Sequence, residues 1–169
     1  MKHKKTIIFI ILIAILLIVG ITTLYTKINK LKLNVDNEYS NITSVIDEKK
    51  EIITTFINKL DQDNKTIVKL KKELNQLDNS YDVNNKCNCV NEIDIIIQKL
   101  NKDIDNKTII VNADEYNTFK TNIDNANKKL SSKKENYNKK VKKYNNMINK
   151  FPYKIIAKIF KFKKINYYI

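Results

Sequence analysis

Hydrophobic and polar positions divide the chain into stretches with different periods. Behind Met1-Lys2-His3-Lys4-Lys5 an apolar run extends from about Ile7 to Tyr25, holding one Gly, a few Thr and no charge. Nineteen residues in a helix span about 28 Å, close to the thickness of membrane hydrocarbon. A cleavable signal peptide would have a shorter core, about 7–15 residues, and a small-residue cleavage site behind it. Gly20-Ile21-Thr22-Thr23-Leu24-Tyr25 offers no such site, and Tyr25 suits a membrane interface. The pattern predicts a basic tail over 1–6 and an uncleaved single-pass anchor over 7–25.

From residue 26 the apolar positions recur at steps of three and four, which is the helical period. They are Ile28, Leu31, Val35, Tyr39, Ile42, Ile46, Ile53, Phe56, Leu60, Ile67, Leu70, Leu74 and Leu77. Lys49 and Asp63 fall on two beats of this stripe. The seam is therefore imperfect, and Asp61-Gln62-Asp63-Asn64 is the place where a helix over 26–77 would break or bend. The polar, Asn-rich stretch from Asp78 to Cys89 reads as a loop. A second helix of about 16 residues follows, with Val90, Ile93, Ile97, Leu100 and Ile104 on one face. Asp105-Asn106-Lys107 ends it, and Thr108–Val111 is a short connector. Asn112 then has the character of an N-cap, with Glu115 three residues on as in a capping box. Helical spacing resumes through Tyr116, Phe119, Ile123, Ala126, Leu130, Tyr137, Val141, Tyr144, Ile148 and Phe151.

A helix with one apolar face needs a partner in water. The expected fold is therefore all-α: an N-terminal single transmembrane helix followed by an antiparallel long-helix bundle over 26–151. A homo-oligomeric coiled coil is the second solution and would need a cleaner seam. Pro152 cannot donate an i−4 hydrogen bond, so it stops the last long helix or opens a new one. Over 152–169 a basic amphipathic helix and tail are expected. Ile155, Ile156, Ile159 and Phe160 share one face, and Lys154, Lys158 and Lys161 the other. Such a segment is a membrane-surface or partner-binding foot, or a lid that packs its apolar face on the bundle; the lid reading stands in front.

Composition sharpens this picture. Gly and Pro each occur once, which argues for long helices and few connections. The 32 basic residues are all Lys, so no bidentate arginine fork is available for carboxylate or phosphate. Residues 126–169 hold 14 Lys and one acid, Glu135, and so carry +13 of the net +14. A block of that kind meets anionic lipid or another polyanion, or is simply a solubilising face. Cys87 and Cys89 are the only cysteines. A CxC pair is strained as a disulfide with itself and lacks the second pair of a zinc site, so it reads as an incidental loop pair. No metal and no cofactor are expected.

The C-terminal aromatics follow a particular spacing. Tyr137-Asn138-x-x-Val141-x-x-Tyr144-Asn145 is followed by Phe151-Pro152, then Ala157-Lys158-x-Phe160-x-Phe162, then Tyr167-Tyr168. This resembles the LemA family of bacterial membrane-anchored helical proteins, whose pattern there is roughly YN-x-x-V-x-x-YN, FP, AK-x-F-x-F and a final aromatic pair. The anchor resembles the family as well. The first helix does so more weakly, through Val35-Asp36-x-x-Tyr39-Ser40-x-Ile42 and Ile52-Ile53, Phe56-Ile57. Thr54 stands where the family has Pro, Glu48-Lys49 where it has an Arg pair, and Lys161 where it usually has Gly. Residues 78–112 show no match. The resemblance implies a single-pass protein of the bacterial cell membrane with a long-helix bundle. It implies no particular chemistry.

An enzyme needs a nucleophile with its base, paired acids or metal ligands on a fixed frame. The only His is His3, on the membrane flank, and no phosphate-binding, nucleophile-elbow or zinc-protease motif occurs. The expectation is a non-catalytic protein, structural or interacting, with the bilayer, a protein partner or a second copy as its partners. The alternative is a protein that binds anionic lipid or an envelope polymer through Lys154, Lys158, Lys161, Lys163 and Lys164. Nucleic acid is a distant third, because Tyr137 and Tyr144 lie on the apolar seam and are not offered for base stacking. Lys2, Lys4 and Lys5 flank the anchor on one side and Lys27, Lys30 and Lys32 on the other, close to a tie by the positive-inside rule. The short basic tail tips it toward the N-terminus inside and the bundle outside.

Overall fold

The computed structural model describes residues 2–80 and 82–168, with the side chains of Lys2 and His3 left aside. Met1 of the basic tail, Tyr81 of the expected loop and Ile169 of the C-terminal segment lie outside the described residues. Among the described residues there are five helices and no strand: α1 (Lys2–Ile57), α2 (Lys65–Asp78), α3 (Val83–Asp105), α4 (Ala113–Ile148) and α5 (Tyr153–Ile159). The all-helical class expected from the periodicity is therefore observed. The chain divides into two compact units, Met1–Asn37 with Lys139–Ile165, and Glu38–Asn138 with Asn166–Ile169.

In the second unit four helical stretches alternate in direction. Tyr39 faces Tyr137 (ring centroids 6.0 Å apart) while Phe56, further along α1, stacks on Phe119, which lies earlier in α4, at 4.0 Å and 10°, so α1 and α4 run antiparallel. Lys50 reaches Asp78 at 2.5 Å, which turns α2 back along α1. Thr66 Oγ1 donates to Asp103 at 2.8 Å, which sets α2 against α3. The Tyr116 hydroxyl donates to the Asn101 carbonyl at 3.4 Å, which closes α3 onto α4. Ile42, Ile53, Ile67, Leu70, Val90 and Leu100 are among the residues that fill the interior. Lys49 takes the place of a hydrophobe on this stripe. It is buried and ion-paired with Asp94. Burial lowers its pKa, Asp94 opposes the shift, and the nearby charge of Lys134 adds to it.

The break within 26–77 falls where polar residues interrupt the stripe. Leu60 stays buried because the chain tightens, with Lys59 N–H donating to Phe56 O and Leu60 N–H to Ile57 O, both at 3.1 Å. The Gln62 side chain donates to the Ile57 carbonyl at 2.9 Å and to that of Leu60, satisfying groups that the ended helix leaves open. Asn64 then caps α2 by accepting from Thr66 N–H at 2.9 Å.

The loop expected over 78–89 is corrected. α3 begins at Val83 and has 23 residues. Asp82 caps it, accepting from Asn84 and Asn85 N–H at 2.9 and 3.4 Å. Cys87 is buried one step before Val90, so it serves as a small core residue on a helix rather than as a loop residue. Asn84, Asn85 and Asn88 are exposed.

Asn112 caps α4 as expected, accepting from Asp114 and Glu115 N–H at 2.9 and 3.2 Å. Glu115 does not close the box; it pairs with Lys59 at 2.8 Å. α4 ends at Ile148, and Phe151 is 82% exposed, so its expected place at the end of the core seam is corrected. The residue before a proline is disfavoured in the α region, and the helix has closed before reaching it.

In the first unit, α1 runs through residues 25 and 26 without interruption. Among the described residues it is the one helix long and apolar enough to cross a membrane, and its apolar window is covered by nothing. That is consistent with membrane anchoring. Beyond the window Ile28 and Val35 are buried, as are Val141, Tyr144 and Ile148 of α4 and Ile156 and Ala157 of α5.

Candidate functional site

Two turns of α4 repeat the pair Tyr-Asn, and each pair grips the C-terminal segment by its backbone. In the first unit the Tyr144 hydroxyl donates to the Lys163 carbonyl at 2.9 Å. The Asn145 amide donates to the Ile165 carbonyl at 2.8 Å and accepts from Ile165 N–H at 3.0 Å. In the second unit the Tyr137 hydroxyl donates to the Asn166 carbonyl at 3.0 Å. The Asn138 amide donates to the Tyr168 carbonyl at 2.8 Å and accepts from its N–H at 2.9 Å. An asparagine amide thus does for a segment outside any helix what a neighbouring strand would do in a sheet.

Burial raises the pKa of Tyr144, with Asp36 adding to it. Tyr168 is pushed up strongly, by burial first and then by Cys87, Tyr39, Asp94 and Cys89. Its ring lies under the Lys134 ammonium at 4.5 Å. Its hydroxyl, like that of Tyr39, is buried without a hydrogen-bond partner.

α5 is short, with Lys161 and Phe162 already outside it. Its end is a Schellman motif: Phe162 N–H donates to Ala157 O at 2.9 Å and Lys161 N–H to Lys158 O at 3.4 Å. Lys161 sits at the left-handed position with φ 57°. That is the position where the resembled family usually has glycine, and the geometry supplies the reason. The expected four-residue apolar face is only partly covered. Ile156 is buried together with Ala157, whereas Ile155, Ile159 and Phe160 are exposed. The lid reading is corrected to that extent. Phe160 and Phe162 both pack on Tyr25, at centroid distances of 4.8 and 5.6 Å. Lys154, Lys158, Lys161, Lys163 and Lys164 are all exposed.

A second feature lies on the second unit. A groove of about 910 Å³ runs between α1 and α4, floored by Ile52, Phe56 and Phe119. Its rim carries acids, among them Glu51 and Asp114, and the lysines Lys59, Lys128 and Lys129. Lys59–Glu115 and Lys129–Glu48, at 2.8 and 2.7 Å, bridge it. The sequence pattern placed Phe56 and Phe119 on apolar stripes but did not show the groove, because a groove arises from two helices meeting and neither stripe shows it alone.

Tyr137, Val141 and Tyr144 occupy the seam positions that periodicity assigns them. Asn138 and Asn145 had no role by periodicity; their signal was the repeated YN pair itself. The arrangement is a helical bundle preceded by a candidate membrane span, its C-terminal segment clasped by paired Tyr and Asn side chains. The chain belongs to the LemA family, whose family model matches residues 33–169. The match includes 78–112, where no motif is visible, and begins past the apolar run. No curated relative matches the chain.

Proposed function

We propose that this protein is a non-catalytic interaction protein of the bacterial cell membrane, held by residues 7–25 with its N-terminus inside and its bundle outside, and offering the bundle to a protein partner. The groove between α1 and α4 carries this reading. Its apolar floor and mixed-charge rim have the composition of a helix-binding surface rather than of a reaction site. A photo-crosslinking residue at Asn122, in the full chain in native membranes, is expected to give a discrete adduct that disappears with Ile52→Asp. Adducts that survive that substitution, or none at any groove position, count against the scaffold role.

A second reading has its own observation in support. All five candidate lysines are exposed, and the sequence has no acid after Glu135. The C-terminal segment then meets a polyanion. Binding of soluble polyphosphate to the detergent-solubilised chain is expected at low salt and is expected to fall steeply as salt is added. Burial of Tyr137 and Tyr144 supports setting nucleic acid aside, since neither ring is free to stack on a base.

A further inference from the structure

We propose that the polyanion met by the C-terminal segment is the anionic headgroup layer of the bilayer that α1 enters, and that α5 lies against that layer with Ile155, Ile159 and Phe160 toward the lipid. This rests on the second reading above. Tyr25 closes the uncharged apolar run, and tyrosine at such a position sits at headgroup level. Phe160 and Phe162 pack on its ring, so the end of α5 shares that depth. α5 turns Ile156 and Ala157 inward and leaves Ile155 and Ile159 outward, 52% and 60% exposed. The exposed lysines of the segment are joined by Lys27 and Lys30 of α1, also exposed and just beyond Tyr25. Lysine stems lie along apolar surface and carry their ammonium groups to phosphate. No acid occurs in 136–169 to compete for them. A helix of seven residues would bind a membrane poorly on its own. Here the anchor supplies the affinity, because it holds α5 at a high effective concentration next to the surface.

The chain has no Trp, so Ile159→Trp supplies the only indole. The full-length variant is reconstituted into vesicles of phosphatidylcholine with phosphatidylglycerol, with brominated acyl chains in one set and iodide outside in another. The expected result is quenching by the brominated lipid and shielding from iodide. That quenching should fall at least about twofold in pure phosphatidylcholine, and again when the five candidate lysines are changed to Gln. Ile155→Trp is the second probe should the first disturb folding. Free access of iodide with no lipid quenching in anionic vesicles overturns the proposal, and so does lipid quenching indifferent to both removals of charge. Polyphosphate added to the detergent-solubilised variant separates the two levels. If it binds there while the bilayer assay is negative, the polyanion reading stands and the membrane surface falls; if both are negative, both fall.

Discussion

Among the described residues, lysine fills the two backbone positions that most favour glycine. Lys107 and Lys161 have φ of 58° and 57°, each as the left-handed residue that ends a helix, α3 and α5. Behind Lys107 the bonds are those of a Schellman motif, Thr108 N–H to Asp103 O and Lys107 N–H to Ile104 O, both at 2.9 Å. An L-residue with a Cβ is disfavoured there by about 1–2 kcal/mol, and glycine gives back part of that gain through its freer unfolded chain. Lys107→Gly and Lys161→Gly are each expected to raise stability by about 0.5–1 kcal/mol, read as a shift in denaturation midpoint. Asn145 offers a sharper test. It is buried and bonded both ways to Ile165, so Asn145→Asp keeps the acceptor but sets a carboxylate against the Ile165 carbonyl. The cost at neutral pH is expected to be about 1–3 kcal/mol, and most of it should return in acid, where a protonated carboxyl can donate again. Lys49 gives a prediction with pH. Its pKa lies below the ordinary 10.5, so between the lowered value and 10.5 the unfolded chain holds more protons and stability rises with pH. Asp94 is 34% exposed at its side chain and can be solvated alone. Lys49→Met is therefore expected to be neutral or stabilising by about 1 kcal/mol, and to remove that rise. The tyrosines act in the opposite sense. Tyr39, Tyr116, Tyr144 and Tyr168 are raised above 10.0, so they hold their protons longest when folded, and stability falls as pH climbs beyond 10.

The starts of α2, α3 and α4 are each written in a single residue. Asn64, Asp82 and Asn112 each accept backbone N–H donors of the helix they open. Removing such a cap costs about 1 kcal/mol. Asp82→Ala is expected to destabilise by about that amount and to speed hydrogen exchange of the first turns of α3, around Lys86, relative to the rest of the helix. Slow exchange unaltered by the substitution would count against the cap. The same contrast explains what was legible in the sequence. The apolar stripes of α1 to α4 could be read from spacing, because each residue's place depends only on neighbours three and four away. Asn112 was readable for the same reason. The start of α3 is hidden in the sequence because the run from Asp78 is mostly polar and Cys87 is a weak apolar signal. The place of Phe151 is hidden because the seam spacing continues after the helix has ended. The clasp was illegible for a stronger reason. Asn145 is 20 residues from Ile165 and Asn138 is 30 from Tyr168, and no local period connects them. The repeated YN pair was visible as a signature, and its meaning needed the fold.

At the scale of the whole chain, two sequence-distant sources of positive charge belong to the unit that contains the apolar run: Lys27 and Lys30 on α1, and the lysines around α5. The second source does not count toward insertion, because orientation is decided by lysines close in sequence to the span as it enters the membrane. On that criterion the flanks balance, three lysines against three. Acids weigh little in the rule, so the Lys32–Asp36 pair at 2.9 Å does not break the balance. A balanced span is one whose orientation a few charges can move, and the direction of movement follows. With the N-terminus inside, protease added to intact cells is expected to digest the bundle of the native chain. Changing Lys2, Lys4 and Lys5 to Gln leaves the excess on the bundle side, which should then be retained inside, so a protected full-length fraction should appear. Changing Lys27, Lys30 and Lys32 to Gln instead should leave digestion complete. A native bundle spared by protease, on cells whose permeabilisation restores digestion, would overturn the orientation; a protected fraction that fails to grow on loss of the N-terminal lysines would show that the flanks do not set it.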